Sequence, residues 1–355
     1  VVKSLLAMGS SSRYFGKKAQ VMQKRKIGRA GIEVDVLGIG TAPLGGNFAE
    51  LDRSDAAEIF ETAQRGGISF ADTAPFYGFG RSERVTGDLL RGKPYVLSTK
   101  VGRLLVPGPA ANPMDYGMID PLPFHPVYDY SYDGVMRSFD ASLHRLGLDR
   151  IDILLAHDIG EMQHGVADNA RHFADLATGG YKALEELRAS GRVSAIGLGV
   201  NENEVCLSAL EIGQWDVFLL AGRYTLLEQT ALDELFPKCR AAGTSIICGG
   251  PFNSGILAGG QMWNYAKAPL DVIARVEKLQ AIAAEYNVPL SAAALQFPLG
   301  NALVSSVIPG TRSAAEFDEI LGWASLSIPE EFWKALQDQG LLHQEAPIPQ
   351  GNPYQ

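Results

Sequence analysis

Ile68-Ser-Phe-Ala-Asp-Thr73 and Tyr95-Val-Leu-Ser-Thr-Lys100, with the helix-period segment 82–91 between them, read as one strand–helix–strand unit. Each apolar run is too hydrophobic to leave either face in water, and the segment joining them is long enough for a parallel crossover. The same rhythm extends both ways along the chain. Upstream, 36–41 reads as a strand, and Ser54 reads as the N-cap of a helix over 55–65 that stops at Gly66-Gly67. Downstream, helices over 133–146, 180–190, 202–213 and 229–242 alternate with strands over 151–157, 193–200, 217–221 and 245–249. A longer helix over 270–286, a strand over 305–309 and a helix over 313–321 complete eight strands and eight helices. That alternation predicts a closed (β/α)8 TIM barrel. An open doubly wound sheet asks for G-x-G-x-x-G after its first strand. Here Gly38-Ile-Gly40 runs into Thr41-Ala-Pro-Leu-Gly-Gly46, where the spacing is wrong and a proline intervenes. Residues 26–35, turning at Arg29-Ala-Gly31, predict a small hairpin that plugs the bottom of the barrel.

With 355 residues, 46% hydrophobic and 20% charged, the chain can bury a large core and is not disordered. A net charge of -9 argues against a nucleic-acid or anionic-membrane partner, and no apolar run approaches a membrane span. A small-molecule substrate is expected, on a monomer or homo-oligomer. The three cysteines, Cys206, Cys239 and Cys248, make neither a disulfide framework nor a zinc pattern, which suits a reducing, cytoplasmic setting. From Lys3 to Arg29 every charged residue is basic. The Ser-rich stretch 1–24 is read as a loose or added leader, more readily than as a transit peptide, ahead of one barrel domain over 25–355. Two segments break the rhythm. Residues 103–132, rich in Pro, Gly and aromatics, follow strand three at the end of the barrel where active sites form, and are expected to be an irregular substrate lid. Residues 160–177 follow strand four at the same face. The tail 329–355 starts as a helix and is expected to cap the mouth or support a subunit contact.

Polar groups at strand ends of such a barrel need a reason. Strand two ends in Asp72, strand three in Lys100 and strand four in His157, so three neighbouring strands about 4.8 Å apart bring these groups together. Tyr77, five residues past Asp72, can fold back over them. A phenol ionises near pH 10, and an adjoining ammonium favours phenolate, so Lys100 is expected to lower the Tyr77 pKa, each unit being worth about 1.4 kcal/mol. Asp72 would hold Lys100 charged, and His157 would donate to the substrate oxygen. Such a set moves a proton beside a carbonyl or alcohol carbon and needs a partner to carry hydride. His157, Asp158 and His164 lack metal-ligand spacing, so no metal is expected.

In their order along the chain, Asp72-Thr-Ala-Pro-Phe-Tyr77-Gly, Ser98-Thr-Lys100, Leu154-Leu-Ala-His157-Asp158, Gly199-Val-Asn201, Pro251-Phe-Asn-Ser-Gly255-Ile-Leu257 and Ile308-Pro-Gly310 resemble the aldo-keto reductase family. The resemblance spans about 25–325 and implies a barrel that binds a nicotinamide dinucleotide, with Asp72, Tyr77, Lys100 and His157 as catalytic tetrad and Tyr77 as general acid and base. It also implies Asn201 at the carboxamide, and Pro251, Phe252, Asn253, Ser254, Gly255 and Leu257 over the pyrophosphate. Gly40, Thr41, Gly310, Thr311, Arg312 and Glu316 complete the implied cofactor contacts. Val200 and Ala221 stand where the family usually has Ser and Gln, and Gly249 where many members stack an aromatic ring. Tyr224 is the candidate to replace that ring. A 2′-phosphate calls for Lys or Arg forks, but 310–319 offers one base, Arg312, against Glu316, Asp318 and Glu319. NAD is therefore expected in preference to NADP. The entry to the next helix at Asp129-Tyr-Ser-Tyr-Asp133 and the stretches His157-Asp-Ile-Gly160 and Leu219-Leu-Ala-Gly-Arg-Tyr224 look most like the branch of L-fucose or D-threo-aldose 1-dehydrogenases and pyridoxal 4-dehydrogenases. That implies NAD-dependent oxidation of an aldose at its anomeric carbon to a lactone, with oxidation of pyridoxal hemiacetal to 4-pyridoxolactone or general aldehyde reduction as alternatives. The non-enzymatic alternative is a dinucleotide-binding barrel resembling potassium-channel beta subunits.

Overall fold

The computed structural model describes residues 22–47 and 51–355. Apart from residues 22–24, the stretch read as a loose or added leader lies outside the described residues. The chain begins with an antiparallel hairpin of β1 (Lys24–Lys26) and β2 (Glu33–Asp35), followed by β3 (Ile39–Gly40) and helix α1 (Arg53–Arg65). Next come β4 (Phe70–Asp72), α2 (Arg81–Leu90), β5 (Val96–Val101), the paired strands β6 (Arg103–Pro107) and β7 (Phe124–Tyr128), and α3 (Tyr132–Leu146). The middle of the chain holds β8 (Ile153–His157), α4 (Glu161–Asp175), α5 (Tyr181–Ala189), β9 (Ala195–Val200), α6 (Asn203–Ile212), β10 (Val217–Ala221), α7 (Leu235–Ala242) and β11 (Ser245–Gly249). A short hairpin, β12 (Met262–Trp263) with β13 (Ala266–Lys267), precedes α8 (Leu270–Glu285), α9 (Leu290–Gln296), β14 (Val304–Ile308), α10 (Ala314–Ser325) and α11 (Glu330–Asp338).

Strands β3, β4, β5, β8, β9, β10, β11 and β14 lie side by side in that order, all parallel. Parallel bridges from Leu37 to Val307 and from Gly40 to Gly310 bring the last strand against the first, so the predicted (β/α)8 barrel forms. Buried runs such as Ile153–His157 and Ala195–Val200 face side chains inside the barrel and helices outside it. Inside, Phe70, Ile153, Leu155, Val217 and Ile247 form a core closed from below by Ile27 and Val34 of the leading hairpin. Each such fully buried side chain contributes about 1.5–3 kcal/mol. Gly197 belongs to this wall because a Cβ there would sit 1.7 Å from the Val217 carbonyl oxygen of the next strand.

Four local expectations are corrected. The N-cap of α1 is Asp52, not Ser54, and its backbone N–H donates to the Asp55 carboxylate at 3.4 Å; Ser54 lies inside the first turn. Residues 161–175, within the segment read only as a break in the rhythm after strand four, form helix α4. Its surface is polar, and Gly165, at φ 69°, interrupts the apolar period from which a helix is read. The lid is largely a hairpin, β6 against β7, launched where Gly102 turns at φ 96° with the Tyr130 ring packed on it. Of the two roles expected of the tail, capping the mouth is not what it does: it lines neither cavity there and packs on α9 and α10, where Tyr354 Oη donates to Leu295 O at 2.8 Å and Asn352 Nδ2 to Ala324 O at 2.9 Å.

Candidate active site

The register of the barrel places Asp72, Lys100 and His157 at the carboxyl ends of β4, β5 and β8. The Lys100 ammonium donates to Asp72 Oδ2 at 2.7 Å and to Thr73 O at 2.8 Å, and Ser98 Oγ donates to Asp72 Oδ1 at 2.5 Å. Lys100 is 1% exposed, so the pair is locked away from water. An ammonium has three donors. The third remains for Tyr77, over whose ring Lys100 Nζ stands 5.0 Å from the centroid. Tyr77 and His157 meet edge to face, ring centroids 5.8 Å apart.

The proton affinities differ from the sequence expectation. Burial first, then the carboxylates of Asp72 and Asp158, hold the Tyr77 phenol well above its ordinary value, and Arg103 supplies the opposing charge. Lys100, paired with Asp72 at 2.7 Å, is not among the charges that lower it. His157 is pushed well below the usual imidazole range by burial and by the cations Arg103 and Lys100, so it is neutral. Its Nδ1 is buried without a partner, while Nε2 lies 3.3 Å from Asp158 Oδ2. The strand end beneath it is pinned by Tyr130, whose hydroxyl donates to His157 O at 2.7 Å and meets His164 Nε2 at 3.1 Å.

Two adjoining cavities open at this end of the barrel. One of about 540 Å³ is lined by Phe76, Tyr77, Lys100, Arg103, His157 and Asp158, with Val200, Asn201 and Ala221 further along. The other, about 470 Å³, is lined by Gly40, Thr41, Pro251, Phe252, Ser254 and Gly255, and by Gly310, Thr311, Arg312 and Glu316. Tyr77 borders both. The second groove has the features a dinucleotide needs. Gly255 turns at φ 101° with open space where a Cβ would stand, and Arg312 is exposed at the mouth of α10. Three expected cofactor residues stand away from it: Asn201 lines the first cavity instead, Asn253 is buried with Nδ2 donating to Gly222 O and Glu228 Oε1, and Leu257 is packed in the core. Tyr224 does not replace the missing stacking ring, being fully buried against Phe236 and Phe297.

The profile of the aldo/keto reductase family matches residues 36–339. The chain belongs to that family. This aldo/keto reductase is 47% identical over 335 residues to a pyridoxal 4-dehydrogenase of Microbacterium luteolum, covering 90% of this chain and 98% of that protein. It is 38% identical over 328 residues to a D-threo-aldose 1-dehydrogenase of a Pseudomonas species, covering 88% and 96%. A solved structure of the glycerol dehydrogenase of Gluconobacter oxydans superposes with a TM-score of 0.68 at 20% identity, over 92% of this chain and 97% of the other, and supports the fold. As an aldo/keto reductase the protein is an oxidoreductase that uses a nicotinamide cofactor and a small-molecule substrate. Among the described residues no helix is long and apolar enough to cross a membrane, and no cluster of metal-ligating side chains forms.

Three residues of this reductase's cleft escaped the sequence reading. Arg103, buried and stacked 4.0 Å from the Phe76 ring centroid, pairs with Asp158. The signal was present: Arg103 is the single Lys or Arg between Lys100 and Arg137. Asp158 was quoted in a motif without a role. Tyr265, on the β12–β13 turn, borders both cavities and donates its hydroxyl to Asn201 Oδ1 at 3.2 Å, and nothing in its surroundings in sequence marks it.

Proposed function

We propose that the protein is an NAD-dependent dehydrogenase that oxidises a cyclic hemiacetal to a lactone, with pyridoxal hemiacetal as first substrate and aldoses as second. The observation that carries this is the Tyr77–Lys100–Asp72–His157 cluster at the floor of a cleft whose walls include Phe76, Tyr116 and Tyr265. Aromatic walls suit a flat pyridine ring. The aldose reading is favoured by the polar side chains Asn47, Asp115 and Asn264 at the rim of the same cleft.

When bound, the nicotinamide dinucleotide supplies the hydride acceptor. Asn201, the loop 251–255 and the segment 310–316 would hold it. Tyr77 takes the proton of the anomeric hydroxyl, the free donor of Lys100 steadies the phenolate, and the neutral His157 holds the same oxygen through Nε2. NAD preference rests on Glu316, whose carboxylate accepts from Thr311 Oγ1 at 3.0 Å and Arg312 N at 2.8 Å. A carboxylate there welcomes a ribose hydroxyl and repels a 2′-phosphate. The test is appearance of NADH from the protein with NAD and pyridoxal, L-fucose or D-threo-aldoses. Reduction of simple aldehydes with NADPH, with no oxidation of any member of that panel, would reject the reading.

A further inference from the structure

Asp158 is a polar group of the cleft that the proton chemistry leaves without a task, and its geometry is unusual. It closes β8 at φ 45°, a left-handed conformation that costs a non-glycine residue about 1–3 kcal/mol and persists where surrounding contacts enforce it. Three contacts enforce it. Its backbone N–H donates to Gly199 O at 2.8 Å, Asn201 Nδ2 donates to Oδ1 at 3.1 Å, and Arg103 Nη2 pairs with Oδ2. Arg103 is itself 1% exposed and clamped on the Phe76 ring, so the carboxylate is fixed from behind by a cation that cannot swing away. A carboxylate offers about four lone-pair sites. The two side-chain donors leave capacity unused, and Asp158 lines the 540 Å³ cavity beside Tyr77 and His157.

The position of the spare acceptor is informative. His157 Nε2, the donor for the reacting oxygen, lies 3.3 Å from Asp158 Oδ2. A donor and an acceptor one hydrogen-bond length apart match two oxygens on adjacent carbons or on carbons separated by one more, the first accepting from His157 and the second donating to Asp158. We infer that Asp158, held by Arg103 and Asn201, is the specificity residue of this enzyme and selects substrates bearing a hydroxyl one or two carbons from the reacting carbon. Both candidate substrate classes have such a group: an aldose has its 2-hydroxyl on the carbon beside C1, and the 3-hydroxyl of pyridoxal is on the ring carbon two removed from the aldehyde carbon. An aldehyde lacking it leaves a partly buried, charged acceptor without its donor, which the site penalises.

This inference deepens the reading of the cleft as a hydroxy-hemiacetal site, and the experiment separates the two. Wild type and Asp158→Asn are compared on matched pairs with and without the neighbouring hydroxyl: pyridoxal against 3-deoxypyridoxal and L-fucose against its 2-deoxy analogue with NAD, and 2-hydroxypropanal against propanal with NADH. Wild type is expected to prefer the hydroxylated member by about 10- to 100-fold in kcat/KM. In Asp158→Asn the ratio of the hydroxylated member to its deoxy partner is expected to fall to about one. A wild-type ratio near one, or a ratio preserved in the variant, overturns the inference even if lactone formation is confirmed. Conversely, discrimination between 2-hydroxypropanal and propanal that Asp158→Asn abolishes upholds it even if no hemiacetal is oxidised. Should Asp158→Asn be inactive on every compound, Asp158→Glu and the wild-type ratios carry the decision, a restored preference supporting it and a ratio near one refuting it.

Discussion

The Lys100–Asp72 pair predicts a strong, non-additive effect. At 2.7 Å and an effective permittivity of 20, the attraction between the two charges is about 6 kcal/mol, most of which offsets the cost of taking both out of water. Asp72→Asn leaves an ammonium, 1% exposed, with Thr73 O and an uncharged amide as partners, and Lys100→Met leaves a carboxylate with Ser98. Each single change is expected to destabilise the fold by about 3–5 kcal/mol, the usual penalty for an orphaned buried charge. The double variant removes both charges from a dry site and should be destabilised by less than either single change, so the coupling energy is about 3 kcal/mol or more. Urea unfolding followed by tryptophan fluorescence measures the four proteins. Additive free energies would refute the argument, because they would mean that water or a third group neutralises one member. The same four proteins should separate stability from chemistry: the double variant folds well yet loses turnover by about 10²- to 10⁴-fold, since nothing is left to steady the Tyr77 phenolate.

Tyr77→Phe should retain the wild-type unfolding curve and lose about 10²- to 10⁴-fold in kcat for oxidation, whereas retention of turnover would assign the proton to another group. Because the phenol sits well above its ordinary value, oxidation needs its rarer ionised form and should climb with pH into the alkaline range. Arg103→Met, removing the opposing cation, should move that limb to higher pH and Asp158→Asn to lower pH; shifts in the same direction would contradict the charge assignment. Glu316→Arg should raise the ratio of NADP to NAD kcat/KM by about tenfold or more, and wild type favouring NADP would already refute the adenosine argument. His164 is pushed from 6.5 down to about 4 by burial, His172 and Arg103, so its neutral form stabilises the fold above pH 6.5 and that contribution is lost as pH falls toward 4. His164→Gln should flatten the decline of Tm across that interval.

What the sequence revealed and what it hid divides along a physical line. The strand ends were legible because period and burial fix which residue terminates each strand, and closure then brings Asp72, Lys100 and His157 together whatever the loops do. Helix α4 was hidden because a mostly exposed helix needs no apolar stripe, and Gly165 broke the little there was. Arg103 reads as an ordinary loop base until the Phe76 face and the Asp158 carboxylate are seen around it. Asn253 fell inside a well-matched motif, yet its amide turns to Glu228, because spacing fixes the loop's course and not its rotamers. Tyr265 reaches the site from a turn where Asn264 and Tyr265 both take left-handed φ, a conformation that their residue types do not announce.

The hidden residues also bear on the legible ones. Arg103 and Asp158 come from segments that shape the substrate cavity, yet they act with opposite sign on the Tyr77 proton, one lowering and the other raising its affinity. A substrate hydroxyl donating to Asp158 draws negative charge away from the phenol's neighbourhood. The phenol should therefore be more acidic with the hydroxylated substrate in place than without it. Recognition and proton transfer then share one carboxylate: a substrate lacking the hydroxyl is both held less tightly and met by a weaker proton acceptor. That double penalty would be seen in kcat as well as in KM, which a hydroxyl contact serving binding alone would not produce.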